Sequence, residues 1–239
     1  MARLTSTIAA CAALFTLCAP QSAIGQDTTL EELERAASAT FERIERLKDK
    51  RDIERVQRAY GYYVDKAIWR PLSELFTEDA TLEIGGRGVF DGRERIYEYM
   101  SVGLGSGGPR EGIVMDHQQL AGIVTISPGG EHARGRWRAF VQGVGRGDGV
   151  IGVVTYENEY RKIDGVWHIS VLRAPFDMYT PYQKGWGEAA VPNTTPSTFP
   201  PLPDHPPSVD YESYPALYLE PYHYPNPVTG RGGLEAKGE

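Results

Sequence analysis

The chain has 239 residues, a formal net charge of −7 at pH 7 and a hydrophobic fraction of 41%. This is the composition of a globular protein, and it excludes a fibrous or wholly disordered chain. The acidic balance argues against general binding to nucleic acid or to an anionic membrane surface. The length allows one large domain, or one medium domain with extensions.

The N-terminus predicts export from the cytoplasm. The apolar run Ile8 to Ala19 is followed by small residues before Gln26, as in a secretory signal with its cleavage site. The run is too short to span a bilayer as a helix. We therefore predict a signal peptide over residues 1–25 and a periplasmic or secreted protein without a membrane span. Both cysteines lie within this segment, so the mature chain would have no disulfide.

Two helices are expected next. Residues 26–50 favour a polar N-terminal helix with one narrow apolar stripe, and a second helix is predicted from about Asp52 to Arg70. The stripe is too thin to fold alone, so we expect it to dock on the main domain or on a neighbouring subunit. Its members are spaced three or four residues apart: Leu30, Leu33, Ala37, Thr40, Ile44 and Leu47.

Short elements and then long strands complete a domain over residues 51–175. A strand from Ala80 to Ile84 leads into a glycine-rich turn, and Asp91 is predicted to cap a helix that reaches Met100. This order indicates an α+β fold, with helices packed on a strongly curved, mainly antiparallel sheet that encloses an apolar pocket. Strands are expected at about 113–126, 133–142, 150–162 and 166–173.

Residues 176–239 differ in composition from the rest of the chain. They contain 12 of the 17 prolines and 7 of the 14 tyrosines. Proline at this density cannot sustain a helix or an interior strand, whereas disordered tails are poor in aromatic residues. We predict a C-terminal extension that lies in extended form on its own or a neighbouring subunit. Loose disorder is the alternative.

Asp65 is the most informative single residue, because it lies in an otherwise apolar run of the second helix. A buried carboxylate costs folding free energy unless it is paired or protonated. Such a group suits general acid or base catalysis. The alternative is a solvated carboxylate at the helix edge beside Arg58.

Other side chains could complete a site. His117 lies in a strand-like segment, and an imidazole is the natural proton shuttle near neutral pH, although a structural role is the alternative. Tyr60 and Tyr62 offer hydroxyl groups close to Asp65 in the sequence. Arg173, on the predicted face of Trp167, needs an acidic partner or a substrate. No two histidines have zinc-ligand spacing, and nucleotide-binding and serine-hydrolase motifs are missing, so we expect neither metal nor cofactor.

The residues as a set resemble SnoaL-like proteins of the NTF2-like superfamily over about 48–175. The resemblance implies a cone-shaped α+β barrel with a deep apolar pocket. Members of the superfamily include scytalone dehydratase, bile-acid 7α-dehydratase, ketosteroid isomerases, polyketide cyclases and a formaldehyde lyase. The matching pieces are Tyr60–Leu72 with Leu75–Ala80, Phe90–Arg93, His117 in the following strand, and Tyr160–Trp167 in the terminal hairpin.

The resemblance also implies roles for residues. In the dehydratases of this family an aspartate on the first long helix pairs with a strand histidine, and Asp65 and His117 occupy those places. Tyr60 falls on a catalytic tyrosine, and Arg173 is a looser match to an arginine late in the last strand. A second catalytic histidine of scytalone dehydratase falls near Trp137 and has no counterpart in this sequence.

We therefore predict a cofactor-independent lyase that removes water or formaldehyde from a small aromatic or polycyclic alcohol. A non-catalytic ligand-binding protein and a ketosteroid-isomerase-like enzyme are the alternatives. A homo-oligomer is expected, and a trimer is favoured because related dehydratases are trimers. The side chains expected to bind substrate are Tyr62, Trp69, Trp137 and Tyr156.

Overall fold

The computed structural model describes residues 29–105, 107–145, 148–188, 198, 200–216 and 218–232. The predicted signal peptide lies outside these residues. No helix in the described part is long and apolar enough to cross a membrane. The chain forms two compact units, Met1–Phe41 and Glu42–Glu239. The described part of the first unit, residues 29–41, is helical apart from its first residue, and everything below concerns the second unit unless stated otherwise.

One long helix stands where two were predicted. Helix α1 runs from Leu30 to Asp65, since no proline or glycine interrupts the chain between the two expected segments. It begins with a capping box, in which the Glu32 amide donates to the Thr29 hydroxyl (3.3 Å) and the Thr29 amide donates to the Glu32 carboxylate (2.9 Å). The predicted end at Arg70 is wrong, because Ala67 adopts a left-handed conformation (φ 51°) that breaks the helix.

The part of α1 within the second unit buries one face. Its buried positions repeat every three or four residues, as expected for a helix that packs on a sheet. Asp49 among them is paired with Lys162 (2.6 Å) and accepts a hydrogen bond from the Trp167 indole (2.9 Å). The apolar stripe points elsewhere, and Ile44 and Leu47 are exposed. The buried positions are Asp49, Ile53, Gln57, Tyr60, Gly61 and Val64.

Seven strands form one curved, unclosed sheet in the order β2-β1-β6-β5-β4-β3, with β7 paired to β5. Only the β1–β6 pair is parallel among the described strand pairs. The four long strands confirm the predicted segments, and the α+β fold class is confirmed. The strands are β1 (Phe76–Ile84), β2 (Val89–Asp91), β3 (Val114–Ile126), β4 (His132–Gly145), β5 (Asp148–Ile163), β6 (Val166–Ala174) and β7 (Phe176–Pro181).

Short helices precede the long strands. Helix α2 covers Trp69–Ser73, and helix α3 covers Arg93–Glu98 and continues as one π-helical turn over Tyr99–Gly103. The prediction that Asp91 caps α3 is wrong. Asp91 is the last residue of β2, and Gly92 takes the capping position without a side-chain hydrogen bond.

A bulge in β6 changes which face its last residues occupy. Tyr160 of β5 pairs with Ile169, whereas the adjacent Glu159 pairs with Val171, so β6 has one extra residue at this point. One extra residue shifts the alternation of side chains by one position. The prediction that Arg173 shares a face with Trp167 is therefore wrong, and Arg173 lies on the outer face of the sheet.

The C-terminal extension begins with strand β7, a strand that the proline content did not predict. The rest of its described part has little regular structure and lies along its own domain. The Val89 amide donates to the His205 carbonyl (2.9 Å), and the Tyr214 amide donates to the Asp177 carbonyl (2.8 Å). Arg136 of β4 bonds the carbonyls of residues 220 and 221 (3.1 Å each). These contacts hold the extension against strands β2, β4 and β7.

Candidate active site

Asp65 and His117 form a hydrogen-bonded pair between helix α1 and the edge strand β3. The Asp65 Oδ1 atom accepts from the backbone amide of His117 (2.7 Å) and lies 3.1 Å from its Nδ1. Both side chains are largely buried, at 14% and 19% exposure for Asp65 and His117. A carboxylate can only accept, so it selects the tautomer with the proton on Nδ1 and leaves Nε2 as the basic nitrogen.

A largely apolar cavity of about 160 Å³ lies inside the cone, and His117 forms part of its wall. An engineered protein cavity of about 150 Å³ holds benzene, so this volume suits one aromatic ring. Tyr60, Arg87 and Tyr156 also contribute polar atoms to the wall. The apolar lining includes Val64, Ile84, Met100, Leu104, Met115, Val141, Val154, Ala174, Phe176 and the ring of Tyr179.

His117 also contributes to a second cavity of about 350 Å³, between α1 and β3. We call it the outer cleft; it is lined by Arg58, Gly61, Tyr62, Asp65 and residues 116–120. The pair Asp65–His117 therefore stands at the boundary between the inner cavity and the outer cleft.

Two buried tyrosines, Tyr60 and Tyr156, line the inner cavity. Burial raises the pKa of Tyr156 to about 12, although hydrogen bonds with Gln119 and Tyr60 oppose the shift. Burial also raises the pKa of Tyr60 well above its usual value. Both hydroxyls therefore keep their protons at neutral pH. They can donate hydrogen bonds to a developing negative charge, but they cannot act as bases.

A network of hydrogen-bonded polar side chains lies next to the Asp65–His117 pair and connects helix α1 to the sheet. The Gln57 amide of α1 donates to Gln119 (2.7 Å), whose own amide donates to the His117 carbonyl (3.0 Å). The Gln57 oxygen accepts from Asn158 (2.8 Å) and from the Tyr160 hydroxyl (2.7 Å). A fully satisfied network of this kind fixes the distance between helix and sheet. Sequence reasoning missed it, because glutamines carry no distinctive motif.

The structure brings together only part of the predicted site. His117 and Tyr60 line the inner cavity, Asp65 lines the outer cleft and contacts His117, and the catalytic roles of all three stay predictions. Tyr156 lines the same cavity, and Tyr62 is 71% exposed in the outer cleft.

Three predicted residues lie elsewhere. Trp69 donates to the Gly105 carbonyl (2.8 Å), and Trp137 donates to the Tyr160 hydroxyl (2.8 Å); both rings belong to the buried core rather than to the cavity wall. Arg173 lies on the outer face of the sheet because of the β6 bulge.

Arg87 and Tyr179 line the cavity and were not predicted. Arg87 lies between glycines in the turn after β1, where the pattern indicated only a turn. A cationic side chain in such a turn is a weak signal that could have been noticed. Among the described residues, no group of three or more His, Cys, Asp or Glu side chains is placed to hold a metal ion.

Helices packed on a curved sheet around an internal apolar cavity, with an aspartate–histidine pair at the edge of that cavity, define an α+β protein with a candidate ligand site. Residues 45–173 match the model of the SnoaL-like domain. The chain belongs to this family, which confirms the predicted resemblance. No curated protein matches the sequence.

Solved structures show the same fold at low sequence identity. A scytalone dehydratase-like protein from Novosphingobium aromaticivorans has 20% identity and a TM-score of 0.51, with 58% of this chain and 90% of that chain covered. A type 2 hexachlorocyclohexane dehydrochlorinase (LinA) has 21% identity and a TM-score of 0.52, with 58% and 91% covered. A type 3 LinA from Novosphingobium barchaimii has 21% identity and a TM-score of 0.51, with 58% and 92% covered.

Proposed function

We propose that the protein is a cofactor-independent lyase that eliminates a small neutral molecule, water or formaldehyde, from an aromatic or polycyclic alcohol. The observation that carries the proposal is the pair of hydrogen bonds that the Asp65 carboxylate accepts from the backbone amide and the Nδ1 atom of His117, a residue in the wall of the inner cavity. It leaves one basic imidazole nitrogen next to an apolar space. The dehydratase and dehydrochlorinase names of the similar structures fit an elimination.

For loss of water, each atom can be followed. The His117 Nε2 atom removes a proton from the carbon next to the carbinol carbon, and that C–H electron pair becomes the new C=C bond. The C–O bond breaks, and the departing hydroxyl takes the proton from the imidazolium. Alkene and water leave, and His117 returns to its neutral form. Asp65 stabilises the imidazolium while it exists.

The remaining side chains stabilise charge and exclude water. We expect the hydroxyl of Tyr60, which lines the inner cavity, to donate to the oxygen on which negative charge develops. The apolar lining favours a hydrophobic substrate and strengthens hydrogen bonds within the cavity. Acid–base catalysis of this kind contributes about 10²–10⁴-fold to the rate, and oriented donors in the dry cavity would supply the rest.

The test measures turnover of a panel of aryl alcohols by product mass. We expect wild-type product to be lighter by water or formaldehyde, and His117→Ala to lose at least about 10²-fold in kcat. His132→Ala is the matched control, since His132 is exposed at the start of β4. Full activity of His117→Ala would end the mechanism. A product of unchanged mass would indicate an isomerase, and binding without conversion would indicate a non-catalytic protein.

Export and self-association complete the proposal. Export would be tested by N-terminal sequencing of the secreted chain, which should begin at Gln26. The exposed side chains Ile44 and Leu47 belong to the apolar stripe on α1, which a second copy could cover. Light scattering that gave a monomer mass would contradict the predicted trimer.

A further inference from the structure

Arg87 is the one permanently charged side chain among the described residues that line the inner cavity. It lies in the turn between β1 and β2. Its Nη1 atom donates to the Tyr99 hydroxyl (2.9 Å). The Tyr99 ring is in turn stacked on Phe90, with 4.1 Å between ring centroids. The guanidinium is therefore held in one orientation by an aromatic support.

The positive charge of Arg87 has no acidic partner in the described part of the chain. No described carboxylate lies within the 4.0 Å of an ion pair. A guanidinium has five N–H donors, and the neutral Tyr99 hydroxyl accepts from one nitrogen. The charge also acts on the hydroxyls of Tyr60 and Tyr179, which share the cavity wall.

A half-buried cation without an acidic partner costs folding free energy, so its retention beside an apolar cavity needs a reason. The fork of N–H donors fits planar anionic oxygens better than any other group. We infer that Arg87 binds an anionic oxygen on the aromatic ring of the ligand, a carboxylate or an ionised phenol. The ring would then fill the cavity, and the opposite end of the ligand would reach His117.

The C-terminal extension fixes the turn that carries Arg87. A Cβ atom on Gly88 would lie 2.5 Å from the Cβ of Pro203, and Gly88 has a φ of +101° that favours glycine. The Val89 amide donates to the His205 carbonyl (2.9 Å). The extension therefore holds the turn in place, as a preorganised anion site requires.

The test measures equilibrium binding with two pairs of probes. The first pair is 4-(hydroxymethyl)benzoate and its methyl ester, and the second is 4-hydroxybenzyl alcohol and 4-methoxybenzyl alcohol. We expect the wild-type protein to bind at least one acidic probe about 10- to 100-fold more tightly than its neutral partner. The pair that shows the preference distinguishes a carboxylate from a phenol.

Variants test whether Arg87 causes the tighter binding of the acidic probe. Arg87→Gln should reduce it to within about twofold, and Arg87→Lys should keep part of it, because the charge stays while the fork is lost. Arg134→Gln is the matched control, since Arg134 pairs with Glu159 on the outer face and is 63% exposed. Equal wild-type affinities within both pairs would overturn the inference, and so would a folded Arg87→Gln that keeps the preference.

As a statement about the substrate, the inference rests on the proposed function. The experiments nevertheless distinguish a failure of the Arg87 site from a failure of the lyase mechanism. His117→Ala should lose turnover and still prefer the acidic probe. A fully active His117→Ala that keeps the preference would refute the lyase mechanism and leave the Arg87 site standing. A wild-type enzyme that turns over neutral and acidic alcohols with equal KM would refute the Arg87 site alone.

Discussion

Gly61 of helix α1 lies against the backbone of His117 on strand β3. A Cβ atom at Gly61 would come within 2.9 Å of the His117 carbonyl oxygen and 2.9 Å of the Gln119 side chain. Side chains do not tolerate such distances, so only glycine lets helix and strand approach this closely. The approach brings Asp65, one turn further along α1, within hydrogen-bond distance of His117.

We therefore expect Gly61→Ala to push α1 away from β3 and to lower kcat by about 10- to 100-fold, since a misplacement of about 1 Å can cost that much. Alanine gains about 1 kcal/mol of helix propensity, whereas overpacking costs about 1–3 kcal/mol. The free energy of unfolding should consequently fall by at most about 2 kcal/mol, and activity is the more sensitive measurement. Gly129→Ala, where a Cβ meets nothing within 4 Å, is the control. Wild-type kcat in a folded Gly61→Ala would contradict the argument.

The Asp65→Asn variant tests the orientation of the imidazole. An amide can donate to Nδ1, so it no longer enforces the tautomer with a basic Nε2, and it does not stabilise the imidazolium. We expect kcat to fall by about 10²–10⁴-fold with KM changed only a few-fold, as measured by steady-state kinetics. Asp52→Asn is the control on the same helix, where the carboxylate pairs with Lys48 (2.9 Å). Indifference of turnover to Asp65→Asn would favour a non-catalytic protein.

Removal of the Tyr60 hydroxyl separates charge stabilisation from packing. Tyr60→Phe keeps the buried ring and its edge contacts with Phe76 and Tyr156, whose centroids lie 6.2 and 6.0 Å away. Loss of one oriented donor should lower kcat by about 10²–10³-fold. Because the pKa of Tyr60 is raised, the wild-type rate should show no loss from its ionisation below pH 10. A Tyr60→Phe enzyme with unchanged kcat would remove Tyr60 from the mechanism.

The C-terminal extension should be attached less stably as pH rises. Burial, helped by the negative charges of Asp177 and Glu157 and opposed by Arg136, raises the pKa of Glu220 from 4.5 to about 7. The folded state therefore keeps a proton that the unfolded state releases near 4.5. The stability that this proton contributes is complete below pH 4.5 and is lost as pH rises through 7.

Glu220→Gln should remove this dependence. The quantity to compare is the Tm of Glu220→Gln minus the Tm of wild type. We expect this difference to be at least about 2 °C larger at pH 8 than at pH 5, since 1 kcal/mol shifts Tm by about 2–4 °C at this size. Glu212→Gln, an exposed change in the same extension, should follow the wild-type profile. Parallel melting curves of Glu220→Gln and wild type at both pH values would contradict the prediction.

The fold class and the four long strands could be predicted from sequence, because hydrophobic alternation and helical periodicity are local properties. The family was predicted from the resemblance of a set of motif residues to SnoaL-like proteins. Asp65 was found because a carboxylate interrupts an apolar helix face. Trp69 and Trp137 were misplaced, since an aromatic residue on a buried face can fill a core or line a cavity equally well. Periodicity alone does not distinguish the two.

By itself the sequence determined that most of residues 30–65 are helical and that four long strands follow, and it determined which faces of the strands are apolar. The tertiary structure decided which side chains lie at the cavity and which lie on the outer face of the sheet. One extra residue in β6 turned Arg173 to the outer face, and the pairing of the extension with the β1–β2 turn left Arg87 at the cavity. The reason is that strand register and long-range contacts depend on the balance of the whole fold, so no short stretch of residues encodes them.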